Sequence, residues 1–303
     1  MALVNAARWC STSSDADAVL PAVCASLCEV TKTETASILC TKAGGVDVLV
    51  GLVGLVKQNR QASMVCSLLG QLAGASTDAI SRLGHVGGVE AAVGLFKASG
   101  DVNLVTVLDN MTFDNTANQQ RFGTAGGVEL MVQLLDRLLD KHDQDQDHHD
   151  QDQDQWQTWS DLVEDVQVLD LVEDVCQVLY ENTWQVVDNI ARFGAAGGIQ
   201  VVLRVVQQHH IHQMPSLLYT ACNMLYTTTM ADADNQARFV ALNAADAMPK
   251  LVQRITAASI DDIGDMAEMS ACEIQGMSTT DAALELASVM AKWSGPADFD
   301  THI

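Results

Sequence analysis

Apolar residues recur along the chain with a spacing typical of helices, and pairs of glycines mark each recurrence. After Gly126-Gly127 the apolar positions follow a period of three to four residues, and the same spacing follows Gly197-Gly198. In the first of these segments they are Val128, Met131, Val132, Leu134, Leu135 and Leu138. The pattern predicts an amphipathic helix after each glycine pair.

The glycine pairs divide the chain at regular intervals. They stand at 44–45, 87–88, 126–127 and 197–198, and a fifth copy carries Ala247-Met248 at this position. The first two intervals are 43 and 39 residues, and the third, of 71, shortens to about 40 once a low-complexity insertion is set aside. A period near 40 residues with helical patterning is typical of an α-solenoid.

Each repeat contains three predicted helices. A short helix precedes the glycine pair and carries an arginine six residues before the second glycine: Arg82, Arg121 and Arg192, with Arg238 in the same role in the fifth copy. We interpret this arginine as a cation favoured by the dipole at the helix C-terminus. The glycines permit a left-handed backbone turn between this helix and the next, and a second amphipathic helix lies further upstream.

This order of helices resembles the armadillo-repeat family, with HEAT-like packing as the close alternative. The resemblance covers about residues 20–255 apart from 140–170, and it rests on helix length, glycine turn and apolar spacing. It implies an all-α fold, a right-handed α-solenoid that forms a single domain. We expect repeats at about 20–57, 60–98, 101–139, 171–209 and 216–257, and a diverged cap at about 262–293.

The resemblance also implies a concave groove lined by the third helices, where amide side chains bind an extended peptide. The matching positions are Gln71, Asn110, Asn182 and Asn223. Nuclear-import carriers of this family place a tryptophan four residues earlier, where this chain has Ser67, Thr106, Val178 and Tyr219. Only Tyr219 is aromatic, so the chain departs from the pattern that binds lysine-rich import signals. The alternative, that the amides bond neighbouring helix backbones, stays open.

The net charge limits the class of partner, and the context of the cysteines indicates where they lie in the fold. The formal net charge of −23 disfavours nucleic acid and anionic membranes, because both bind through Lys and Arg. No apolar run approaches the eighteen or so residues of a membrane span, and no signal peptide is evident, so we expect a cytoplasmic or nuclear protein. The eight cysteines form no CxxC pair and lie mostly in apolar helical segments, which predicts core residues rather than metal ligands.

An acidic low-complexity insertion occupies about 140–160. Its first sixteen residues, DKHDQDQDHHDQDQDQ, contain seven Asp, three His and five Gln. Asp and His can coordinate a divalent cation, but the dipeptide expansion predicts a disordered, solvated segment. The following duplication, DLVEDVQVLDLVEDVCQVL, turns a helix by half a turn between its copies. We expect only the second copy, which contains Val175, to pack in the core.

The chain has no phosphate-binding loop, HExxH or GxSxG motif, so the sequence predicts a protein that is not an enzyme and binds no cofactor. The function that the resemblance implies is a non-catalytic scaffold or adaptor that holds an extended segment or helix of a protein partner. One alternative is an exchange-factor-type regulator of a small GTPase or Hsp70. Another is a structural component of a cytoskeletal or ciliary assembly.

Overall fold

The computed structural model describes residues 2–10, 16–54, 59–147, 168–207 and 214–242. Over these ranges the chain forms fifteen helices and no strand, which confirms the predicted all-α class. The helices are α1 (Ala2–Cys10), α2 (Ala16–Val30), α3 (Glu34–Lys42), α4 (Gly45–Val53), α5 (Asn59–Ala75), α6 (Thr77–His85), α7 (Gly88–Ser99), α8 (Leu104–Thr112), α9 (Thr116–Thr124), α10 (Gly127–Asp147), α11 (Val168–Thr183), α12 (Val187–Ala195), α13 (Gly198–Gln207), α14 (Pro215–Met230) and α15 (Ala233–Ala241).

The helices recur in sets of three, as the sequence predicts. The first helices, α3, α6, α9, α12 and α15, are each nine residues long. The second helices, α4, α7, α10 and α13, each begin at the second glycine of a pair. The third helices are α2, α5, α8, α11 and α14. The described part of the chain is therefore a helical-repeat protein.

The two glycines of a pair have different roles, seen clearly between α9 and α10. Gly126 has a φ of 88°, a left-handed conformation that favours glycine, and its N–H donates to the carbonyl of Gly123 at 2.9 Å. Gly127 makes room for a side chain, since a Cβ there would lie 2.4 Å from the ring of Phe122. The first glycine turns the chain, and the second lets the aromatic ring pack against the start of the next helix.

The chain divides into two compact units, 1–131 with 144–182 and 132–143 with 183–303. In the first unit the third helices α2, α5 and α8 pack in succession, and so do the first helices α3, α6 and α9. Gly70 permits the close approach of α5 to α8, because a Cβ there would lie 3.1 Å from the Cα of Val107. In the second unit α12 packs against α13 and α15. Within each unit, equivalent helices of successive repeats therefore stack on one another.

Two of the recurring arginines, Arg82 and Arg121, join repeats, a role that the sequence did not reveal. Arg82 of α6 bonds both carboxylate oxygens of Asp47 in α4, and its Nε lies 3.0 Å from Oδ2. Arg121 of α9 lies 2.9 Å from Oε1 of Glu90 in α7. Each arginine thus reaches the second helix of the preceding repeat. The hydrogen bonds that the Arg82 guanidinium donates lower the pKa of the Asp47 carboxyl.

Buried asparagines link the first helices of successive repeats. The side chain of Asn118 in α9 donates to the carbonyls of Ile80 at 2.8 Å and Met111 at 2.7 Å. Asn235 in α15 donates in the same way to Ile190 at 3.0 Å and Thr228 at 3.3 Å. Each asparagine therefore ties its own helix to the first helix before it and to the preceding third helix.

The structure describes only part of the acidic segment and part of the duplication that follows it. Helix α10 continues to Asp147, so the first eight residues of a segment that we predicted to be disordered are helical. The helix enters this segment from a packed stretch in which Leu138 and Leu139 are buried, and Arg204 of α13 pairs with Asp136 and Asp140. Residues 148–167 and the predicted cap at 262–293 lie outside the described residues.

The second copy of the duplication packs in the core, as the sequence predicts. Helix α11 buries the following apolar positions: Leu171, Val172, Val175, Val178 and Leu179. The first copy, with Val166, lies outside the described residues.

In the described ranges no single helix has the length and apolar character of a membrane span. Only α3 and α4 taken together pass such a test, and they are bent by 78° where they meet.

Candidate functional site

Gln71, the first of the predicted groove residues, contacts the preceding third helix. It lies half-buried on α5, and its Nε2 donates to the carbonyl of Cys28 on α2 at 3.1 Å. Cys28 stands at the equivalent position of its own repeat, 17 residues before the second glycine. The structure therefore brings two equivalent positions of neighbouring repeats together, with the amide of Gln71 bonded to protein backbone.

Asn110 occupies the same position on α8 and is half-exposed. It faces Gly74 of α5, where a Cβ would lie 3.4 Å from the Oδ1 of Asn110. Its side chain makes no hydrogen bond to any other residue in the described ranges. Of the predicted amides in the first unit, Asn110 is therefore the one whose donor and acceptor are best placed to meet a partner.

Asn182 has a different environment, because it is fully buried. Its Nδ2 donates to Thr112 Oγ1 on α8 at 2.9 Å and to the carbonyl of Val178 at 2.8 Å. The hydroxyl of Thr112 in turn donates to the carbonyl of Leu108 at 3.0 Å. In this structure Asn182 braces α11 against α8 and presents no surface to a partner.

Asn182→Ala should therefore lower the free energy of unfolding by about 1–3 kcal/mol, because a buried hydrogen-bond network loses its donor. Asn110→Ala is the matched control, since it removes the same amide from a half-exposed position, and it should cost no more than about 0.5 kcal/mol. Urea denaturation of both variants measures the difference. Equal costs would contradict the distinction between a bracing and a partner-facing amide.

The remaining predicted residues lie in the second unit. Asn223 is half-exposed on α14, and its carbonyl accepts a hydrogen bond from Thr227 Oγ1 at 2.8 Å. Tyr219 lies one turn earlier on the same helix, and its side chain is outside the described part of the chain. The two residues are placed on α14 as the sequence predicts.

An acidic cluster that the sequence analysis missed lies beside Asn110. It consists of Asp109 on α8 with Asp174 and Glu181 on α11, and we call it the junction cluster. Burial, followed by the charges of Glu181 and Asp174, raises the pKa of Asp109 to about 6. The acidic positions 170, 174 and 181 recur at helical spacing in the sequence, and this signal could have located the α11 part of the cluster.

Burial is also the main influence on the other two carboxyls of the junction cluster. It raises the pKa of Asp174, with further contributions from Glu173 and Asp170. It raises the pKa of Glu181 together with the charge of Asp114, while a 3.0 Å hydrogen bond from Gln177 acts in the opposite direction. Among the described residues, every neighbouring charge that perturbs the pKa of these three carboxyls is negative, and none of them is a counterion.

The described cysteines behave as core residues, which confirms the prediction from their apolar context. All seven are free, and six of them are buried. Burial raises the pKa of Cys24, Cys66 and Cys222 to about 12, which disfavours the reactive thiolate. Within the described ranges no three His, Cys, Asp or Glu side chains are grouped so as to hold a metal ion.

Comparison with known proteins supports the helical architecture and leaves the family open. No protein-family model matches the chain, and no curated protein matches it. The chain is similar to two crystal structures of engineered proteins from the Northeast Structural Genomics Consortium. The first has a TM-score of 0.62 and a sequence identity of 17%, and the match covers 95% of this chain and 97% of the engineered protein. The second has a TM-score of 0.59 and a sequence identity of 18%, and the match covers 98% of this chain and 69% of the engineered protein. At these identities the likeness shows the fold alone.

Proposed function

We propose that the protein is an armadillo-like α-solenoid that acts as a non-catalytic scaffold or adaptor in the cytoplasm or nucleus. Its partner segment would lie on the third-helix face, by which we mean Gln71, Asn110, Asp174, Gln177 and Glu181. The observation that carries the proposal is the stacking of third helices in the first unit with Asn110 half-exposed between them. A helical-repeat architecture without catalytic motifs supports the same class of function.

The chemistry of this face favours an extended segment with basic side chains. The amide of Asn110 offers a donor and an acceptor to a peptide backbone without carrying charge. The side chains of Asp174 and Glu181 nearby are only partly shielded from water, and the whole chain has a net charge of −23. Because complementary charge speeds encounter and disfavours acidic partners, a segment containing Lys or Arg fits this surface best.

Selection from a phage-displayed library of unstructured peptides tests the proposal. We expect the selected peptides to be basic and to bind Asn110→Ala about five-fold more weakly than the original chain, as the loss of about 1 kcal/mol of hydrogen bonding predicts. Gln120→Ala removes an exposed amide from the first helix α9 and serves as the matched control. Isothermal titration calorimetry measures each affinity, and thermal unfolding verifies that both variants are equally stable.

Peptides that bind Asn110→Ala as tightly as the original chain would contradict the proposed site. A set of predominantly acidic peptides would contradict the charge argument separately. The exchange-factor alternative makes a different prediction, faster release of a fluorescent nucleotide from a small GTPase or Hsp70. A scaffold leaves this rate unchanged.

A further inference from the structure

Asp109 carries its carboxylate at the contact between two third helices, α8 and α11. Its Oδ1 is buried and receives no hydrogen bond from any described residue. The hydrogen bond from Asn182 to Thr112, one turn along α8, holds α11 against α8 at this level. Among the described side chains, Glu181 and Asp174 act on Asp109 electrostatically; both belong to α11, and both carry a negative charge.

The helices packed against α8 do not supply a described counterion. On α5 the charged residue is Arg60, whose side chain lies outside the described part of the chain. The other charged side chains on α6, α7 and α9 are exposed or ion-paired elsewhere: Asp78, Arg82, His85, Glu90, Lys97 and Arg121. The α8–α11 contact thus holds negative charges together, one of them largely withdrawn from water, which opposes tight packing.

We propose that the α8–α11 contact is a pH-sensitive joint, in which a proton on Asp109 relieves the repulsion and tightens the packing of α11 against α8. The proton cancels the charge that burial penalises most and leaves Asp174 and Glu181 facing a neutral group. The proposal concerns the free protein and does not require that the third-helix face bind a partner.

The direction of the pH dependence follows from the raised pKa of Asp109. Its value is about 6 in the folded chain against an ordinary 3.8. Between these values the folded state binds a proton that the unfolded state does not, so stability increases as the pH falls through this window. The stabilisation is complete below the unfolded pKa and is lost as the pH rises through about 6. The joint is therefore loosest at neutral and alkaline pH.

Comparison of the original chain with Asp109→Asn between pH 7.5 and pH 4.5 tests the joint. At pH 7.5 we expect the variant to have the larger folding equilibrium constant, by up to about 100-fold for a two-unit difference in pKa. This ratio should fall about tenfold by pH 5, because the original chain then gains its proton. Asp78→Asn, which removes a charge from an exposed position on α6, is the matched control for the general effect of net charge.

Hydrogen exchange locates the effect within the fold. Corrected for intrinsic rates, the amides of α11 should exchange more slowly as the pH falls through 6 in the original chain, and not in Asp109→Asn. Glu181→Gln should move the transition to lower pH. The proposal is overturned if Asp109→Asn and Asp78→Asn show the same pH dependence, or if the Asp109 carboxyl titrates near pH 4 by carbon-13 NMR. The NMR titration uses the original chain and so decides the matter even if a variant folds poorly.

Discussion

Replacement of Gly84 by alanine should lower the free energy of unfolding by about 2–4 kcal/mol, although alanine favours helix formation over glycine. A Cβ at this position of α6 would lie 1.7 Å from the Oδ1 of Asn118. Asn118 is buried and donates to the carbonyls of Ile80 and Met111. It therefore cannot move aside without leaving polar groups unpaired in the interior, which is the source of the cost.

Gly94→Ala is the matched control for this substitution. Gly94 lies within α7 in the same unit, and a Cβ there would meet nothing within 4 Å. The change should raise stability by up to about 1 kcal/mol through helix propensity alone. Urea denaturation measures both variants, and a Gly84→Ala variant as stable as Gly94→Ala would show that Asn118 relocates freely.

The effects of substitutions at positions 84 and 118 on the free energy of unfolding should be coupled. In an Asn118→Ala background the methyl group of Gly84→Ala has room, so its cost should fall by at least about 1 kcal/mol in a double-mutant cycle. The chain contains the swapped arrangement at the junction of α3 and α6, where Thr41 and Ala79 occupy the equivalent positions. Additive costs would contradict a direct steric conflict between the two side chains.

Val175→Asp should cost at least about 4 kcal/mol and leave little folded protein at 37 °C, because it places a carboxylate in a packed, apolar position. Val175 on α11 has 0% of its surface exposed. The neighbouring acidic residues Asp174 and Glu181 would add repulsion to the desolvation cost. Circular dichroism during thermal unfolding measures the loss.

The control for Val175→Asp is the same change at Val187, which is 68% exposed in the first turn of α12. An acidic residue is favourable at a helix N-terminus, so Val187→Asp should alter stability by no more than about 0.5 kcal/mol. The sequence makes a similar prediction for Val166→Asp in the first copy of the duplication. Comparable losses from Val175→Asp and Val187→Asp would mean that α11 does not contribute its apolar face to the core.

The helices and the turns between them follow from local patterns in the amino-acid sequence. A left-handed glycine such as Gly126 and an apolar stripe such as that around Val175 act over a few residues, so their meaning can be read from local spacing. The candidate site was predicted as a set of positions on third helices. The structure places Gln71, Asn110 and Asn182 there, and local spacing could not show which of them faces water.

The group to which each polar side chain forms a hydrogen bond depends on how the helices pack. Asn110 and Asn182 are the same amide at nearly the same place in the repeat, yet one is half-exposed and the other braces α8 against α11. Arg82 and Asn118 act across repeats, on partners 35 and 38 residues away. Burial, followed by the charges of two acids that α11 supplies, raises the pKa of Asp109. Burial, hydrogen bonding and charge all depend on atoms that a neighbouring helix supplies, and the packing of helices, not the local pattern, determines which atoms those are.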